Sequence, residues 1–414
     1  MKKHSSRLLR PFRASMSDFD SWWTGYSISI PGIAGSLLSF LYFGAGIWAV
    51  ISVGLRRFPL DISGPSKWFV YSCIGYALTV LASSVLNDGV QGILPGLAAG
   101  AAFYFVPFLI SRYRASDPNR SFDVLCQYAP LGAFLCLIPA IYQKFLMSIP
   151  VEGGAGNASA FGFVAAVLGT ISLAEGLSPI RMKRISAFTG YLSGMGALLL
   201  SQTRALYPAI LIAPVVLVFL SAGLSARTRF RIVGFFMLAV IAAVAVLWRQ
   251  LEKEFMRTVG EISQIGGEVF VSSLGIRIEL WKAALPTIIE SPWLGHGQIH
   301  KMDGTISRLP DIISYASFTH AHNIWVDSAL SGGVILTIIM TLVLVTPLNL
   351  ISFKSTASTS MKRNYIVTTI FLISLLNGIV NTMFTHDIIS SLYFIILILI
   401  SSIVEINDNS SIDL

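Results

Sequence analysis

Along this chain, long apolar runs alternate with short stretches rich in charge, glycine or proline. Ten runs stand out, at about 67–86, 92–111, 122–146, 159–177, 186–202, 204–223, 230–248, 323–349, 365–384 and 389–405. Each approaches the roughly 20 apolar residues that carry a helix across a bilayer. Residues 18–55 are too long for one such helix, and Pro31–Gly32 predicts a break that makes two. The pattern predicts an all-α polytopic membrane protein of about twelve transmembrane helices. It divides the chain into N-terminal transmembrane helices (1–248), one large extramembrane loop (249–322), and C-terminal transmembrane helices with a short tail (323–414). Within the loop, LGIRIELWKAALPTIIES places Ile276, Leu280, Ala284 and Ile288 four residues apart. That spacing predicts an amphipathic helix, expected to lie along the membrane surface.

Composition agrees with this class. Hydrophobic residues are 54% of the chain and charged residues 12%, against about 25% charged in an average soluble domain. Charge also fixes an orientation. Of the 29 Lys and Arg residues, 20 fall in the N-terminal tail and in five loops near 56–67, 112–120, 181–184, 227–231 and 354–363. With twelve spans these segments share one side, which the positive-inside rule makes cytoplasmic. Both termini are then inside and the 249–322 loop is outside. The basic start, MKKHSSRLLRPFR, has no apolar core directly behind it and reads as a cytoplasmic tail, with no signal peptide. The net charge of +8 is scattered over loops, which fits attraction to anionic membrane lipid and argues against nucleic acid. Cys73, Cys126 and Cys136 all fall in apolar runs, as small buried residues would.

Candidate chemistry gathers where the polar loop meets the next apolar run. His320, His322 and Asn323 stand at that junction, with Asp327 a turn further in. Ionisable groups at the mouth of a membrane helix are costly to keep, and histidine exchanges protons near neutral pH. His296 and His300 read as ordinary loop residues. His320-x-His322 offers two metal ligands, yet no nearby acid or thiol completes a set, so no metal is expected. Arg204, in LLLSQTRALYP, lies between two apolar runs with almost no loop. It either snorkels to headgroups or binds a phosphate-bearing ligand. Arg277 flanks the apolar stripe with Trp281 one turn on, and would otherwise be a solvated charge near Glu279. Asn377 and Asn381, with Thr382 and His386 beyond, give the penultimate span a polar outer half: a wet cavity, or interhelical hydrogen bonds.

Three pieces together resemble the O-antigen ligase and polymerase superfamily of bacterial envelope glycosyltransferases. They are the S-x-T-R turn Ser201–Arg204; the R-x3-W helix of Arg277 and Trp281, followed by Pro292, Gly295 and Gly297; and His320, His322 and Asn323 with the glycine pair Gly332–Gly333. Asp327 departs from the pattern, standing near where relatives often carry glutamate. The resemblance implies a bacterial inner-membrane enzyme that moves a glycan from undecaprenyl pyrophosphate to an acceptor at the periplasmic face, without metal or other cofactor. It implies Arg204 and Arg277 as holders of the diphosphate and His322, or His320, as the general base, with Asn323, Asp327 and Trp281 in support. The ligase reading makes the acceptor a lipid A-core oligosaccharide; the polymerase reading makes it another lipid-linked repeat. A polysaccharide or lipid-linked glycan transporter is the reading from a different class. Transporters place charged groups near the bilayer midplane, whereas here polar residues collect toward one side.

Overall fold

The computed structural model describes residues 5–220, 273–310, 318–352 and 358–403, with scattered residues between 225 and 260 and Ile313. The predicted span at 230–248 is described only at scattered positions, and most of 249–272 lies outside the described residues. Every regular element among the described residues is helical. Six helical stretches are long and apolar enough to cross a membrane, and two shorter apolar helices accompany them. The protein is a multi-pass membrane protein.

Helix α1 covers Ser5–Ser29 and α2 covers Gly35–Gly54, so the break falls at the predicted Pro31–Gly32. Residues 5–13 of the basic start belong to α1. Next come α3 (Lys67–Asp88), α4 (Ile93–Tyr104), α5 (Val106–Ala115), α6 (Pro118–Ile141), α7 (Ala158–Ser172), α8 (Arg181–Ser201) and α9 (Ala209–Leu220). After the incompletely described stretch come α10 (Ser273–Glu290), the single turn α11 (Asp303–Ile306), α12 (Ile324–Val345), α13 (Ser358–Val380) and α14 (Asp387–Ser402).

The core is built around α7 and α14. In α7, 89% of the most apolar window is buried, and every residue from Ile388 to Ser402 of α14 is buried. Small residues let α7 and α8 meet closely: a Cβ on Gly194 would lie 2.6 Å from the Gly169 Cα. The outer helices turn Phe40, Ile47, Leu78, Phe134, Leu192 and Ile338 outward. Such a belt is a liability in water and is satisfied by lipid. Cys73, Cys126 and Cys136 are free thiols in the core, as expected.

Hydrogen bonds and ion pairs sort the two ends of the bundle. At one end, Lys362 at the start of α13 meets Glu175, just beyond α7, at 2.7 Å, and Arg114 at the end of α5 meets Asp61 at 3.1 Å. At the other end, Asn381 just past α13 donates to Ser159 at the start of α7 (2.6 Å). Asp88, closing α3, accepts from the Ile299 backbone N–H (3.3 Å). Arg114, Lys183 and Lys362 thus share the end of the bundle opposite the one where α12 begins.

Candidate active site

Helix α12 enters the bundle directly after His320, Ala321, His322 and Asn323. Asn323 explains why it starts there. Its backbone is extended and its side chain accepts from the Trp325 and Val326 N–H groups (2.9 and 3.1 Å), the usual cap for otherwise orphaned helix donors. Its amide also donates to the Ile379 carbonyl at 3.0 Å, tying the α12 start to the end of α13. His322, just before this cap, has φ +51. A left-handed backbone at a non-glycine residue is strained, and such strain clusters at functional sites.

Ala321, between the two histidines, is fully buried and held on both sides. Its N–H donates to Asp327 Oδ1 (3.2 Å), and its carbonyl accepts from Trp281 Nε1 (2.9 Å). The other Asp327 oxygen lies 2.9 Å from Lys301 Nζ, in a pair that is almost wholly buried. Asp327 and Trp281 are therefore the groups that fix the His-x-His segment. Trp281 comes from α10, whose predicted stripe is as expected: Leu280 and Ala284 are buried and Ile276 and Ile288 pack with them, against Met302, Leu309, Ala321 and Leu330. That face covers the chain's own α12 entrance. It does not lie against the membrane surface, because a closer apolar partner occupies it.

The glycines of two separate motifs form one junction. Helix α12 is broken at Gly332–Gly333, where the backbone leaves helical geometry and Gly333 has φ +66. The carbonyls of Leu330 and Ser331 lose their helical partners and accept instead from the N–H groups of His296 and Gly297 (2.8 and 3.1 Å). Val334 N–H completes the seam by donating to the Pro292 carbonyl at 2.8 Å. Ser83 of α3 places its hydroxyl 2.6 Å from both the Leu294 and Ser331 carbonyls.

Three imidazoles meet above this junction. The rings of His320 and His322 are 4.3 Å apart, and that of His386, before α14, is 6.1 Å from His320. Thr319 Oγ1 contacts His320 Nδ1 at 2.9 Å, fixing one side of that ring. Burial, then the neighbouring His320, Arg277 and His386, hold His322 well below the usual imidazole range, at about 4. Burial lowers His320 and His386 as well. All three rings are thus neutral at pH 7. Arg277 acts on His322 across the gap between α10 and α12. Arg204 is not among the charges acting on His322. It stands in a one-turn helix, Arg204–Leu206, whose preceding Thr203 hydroxyl donates to the Ala158 carbonyl (2.9 Å). That bond ties the turn before Arg204 to the start of α7, where Ser159 in turn accepts from Asn381. Among the described residues, no three His, Cys, Asp or Glu side chains are grouped to hold a metal ion.

Residues 189–341 match the family model for O-antigen ligase. This segment belongs to the O-antigen ligase family. It runs from within α8 to within α12 and contains all three motif pieces, though not His386. No curated protein matches the chain. Within and around the O-antigen ligase segment, the plainer readings hold for two other histidines: His296 Nε2 contacts the Thr287 carbonyl and His300 the Asp303 carboxylate, each at 2.7 Å. Asn381 serves interhelical bonding. Asn377 is fully buried, and neither of its amide atoms has a partner among the described residues. No local signal marks Lys301 as a partner for Asp327, and His386 reads with Asn377 and Asn381 in the polar end of the penultimate span, apart from the His320–His322 pair that it meets only through folding.

Proposed function

We propose that the protein transfers a glycan from undecaprenyl pyrophosphate to a sugar hydroxyl at the histidine end of the bundle, which we assign to the periplasmic face of a bacterial inner membrane. The observation that carries this reading is Arg277 acting on a half-buried, neutral His322 inside the O-antigen ligase segment. His322 is the general base. It takes the acceptor hydroxyl's proton as that oxygen attacks the anomeric carbon, and the carbon–oxygen bond to the diphosphate breaks with its electron pair leaving on phosphate. A positioned base contributes about 10²–10⁴-fold. Arg277 and Arg204 hold the diphosphate, where charge grows as the bond breaks. Direct displacement inverts the anomeric centre, and no metal takes part in this scheme.

The low basicity of His322 has a use here. Arg277 is one cause of it, so a diphosphate seated on Arg277 offsets that charge and adds an attraction of its own. Donor binding raises His322 toward the range where a base works best at neutral pH. The base is strengthened only when a donor is present, which protects the lipid-linked glycan from unproductive turnover.

We assign the acceptor as a lipid A-core oligosaccharide. The test is reconstitution in nanodiscs with a lipid-linked glycan and purified acceptor, with and without chelator. The wild type should form glycosylated core in both conditions, and His322→Ala and Arg277→Ala should each lose it while remaining inserted. Product formed only on a second lipid-linked repeat would move the reading to a polymerase. Glycan appearing across the bilayer without a new bond would move it to a transporter, and full activity in either variant would end the site assignment.

A further inference from the structure

We infer that His386 is the third working imidazole of the site, relaying the proton that His322 collects from His320 to solvent. The inference rests on the glycan-transfer reading for its chemistry, but its geometry stands apart. His386 lies outside the matched family segment, in the turn between α13 and α14. That turn is rigid. Phe384 packs against Phe103, Tyr393 and Phe394 with ring centroids 5.1–5.5 Å apart, Met383 is fully buried, and Asn381 is bonded to Ser159.

His386 occupies the cap position of α14, yet its ring makes no capping hydrogen bond. A residue kept there for the helix would more usefully be Ser, Asp or Asn. The ring turns toward His320 instead, edge to face at 6.1 Å between centroids. His320 in turn lies 4.3 Å from His322. These separations suit proton transfer between ring nitrogens directly or through one water. His386 is half-buried between exposed Thr385 and exposed Asp387, so the series ends at the solvent boundary beside a carboxylate.

The charges around the series favour outward passage. Arg277 and the neighbouring rings disfavour a proton resting on His322. Burial disfavours a proton on His320 and on His386; Asp327 offsets this at His320 against His386 and Lys301, and Asp387 offsets it at His386. Each turnover leaves one proton on His322. It moves to His320, then to His386, then to water, and all three rings return to neutral. His386 touches neither donor nor acceptor. It acts through His320 and is a positioning residue for the proton.

The experiment uses His386→Asn and His386→Ala in the nanodisc assay. Asn is a better helix cap than His, so the first variant retains the fold. Both should show kcat reduced about tenfold with KM for donor and acceptor unchanged, and added imidazole should restore them while leaving the wild type unaffected. If His320 discharges to water by itself, kcat stays at the wild-type value in both variants and the inference is overturned. A fall that imidazole does not restore also overturns it. Should the wild type turn over no lipid-linked glycan, the proposed function has failed separately. The contact is then read without substrate, by NMR titration of the His320 ring in His386→Asn. Its midpoint should rise on loss of a neighbouring imidazolium, and an unmoved midpoint removes the relay.

Discussion

Replacing Gly333 by alanine tests whether the break in α12 organises the site. Gly333 has φ +66, a conformation that costs an L-residue roughly 1–2 kcal/mol. Its new Cβ would also land within the envelope of the Trp293 carbonyl, on backbone that cannot rotate away. Relieving that overlap needs a shift of about 1 Å, which breaks the Val334–Pro292 hydrogen bond and leaves buried groups unpaired, at about 1–3 kcal/mol. The combined loss is about 2–5 kcal/mol. Gly64→Ala is the control: φ is +70 there, with open space around the added carbon, so only the conformational cost of about 1 kcal/mol applies. Gly295→Ala falls between, since its Cβ would lie 2.6 Å from the Gly332 nitrogen and the Leu330 carbonyl oxygen. Melting can be followed with a thiol-reactive dye, because all three cysteines are buried. Gly333→Ala should melt on the order of 5 °C below Gly64→Ala. Transfer should fall further than stability explains, about 10²-fold, because a 1 Å displacement passes through Leu330 to Asp327 and the histidines. If Gly333→Ala melts with Gly64→Ala and transfers glycan at the wild-type rate, the junction does not position the site.

Two further outcomes follow from the charges. His322 is held at about 4 against an ordinary 6.5, so between these values the unfolded chain binds more protons than the folded one, and stability should fall as pH drops from about 6.5 toward 4. Arg277→Gln removes one depressing charge, raises the His322 midpoint and narrows that window, so the loss measured over it in circular-dichroism melts should shrink; an unchanged loss would show that Arg277 does not act on His322. Lys301→Met strands the buried Asp327 carboxylate and should cost about 3–5 kcal/mol, most of it recovered in the double variant with Asp327→Asn; equal melting of single and double variants would show that the pair carries no charge penalty.

Much of the scaffold was legible because it obeys local rules. Pro31–Gly32 cannot continue a helix, so the first turn fell where expected. The stripe from Ile276 to Ile288 has helical period, so α10 and its buried face were readable, though not what would cover that face. Burial against α12 won over the membrane surface because Leu330, Ala321 and Met302 offered apolar contact within the same chain. The early start of α1 was not readable, since Arg and Lys are good helix formers and charge alone does not end a helix. Of the site, the His320–Asp327 run was visible as polarity at a helix mouth. Lys301 and His386 were not, because they lie 26 and 64–66 residues from their partners, Asp327 and the His320–His322 pair. Only the fold sets those distances.

The two glycine motifs explain each other through the physics of the bilayer. A broken helix leaves carbonyls unsatisfied, which lipid cannot hydrate, so irregular backbone near membrane depth survives only where protein covers it. The segment Pro292–Gly297 is that cover, supplying the N–H groups of His296 and Gly297 to Leu330 and Ser331. Its positive-φ glycines allow it to approach backbone to backbone, and Gly332–Gly333 give it room. The break lets the first two turns of α12 tilt independently of the rest, so that Asp327 can hold Ala321 from below while Trp281 holds it from above. A straight α12 would need no such loop, but it would also carry His322 and Arg277 on separately packed elements. The seam makes α10, the glycine loop and the start of α12 one body, and the separation of His322 and Arg277 is set within it.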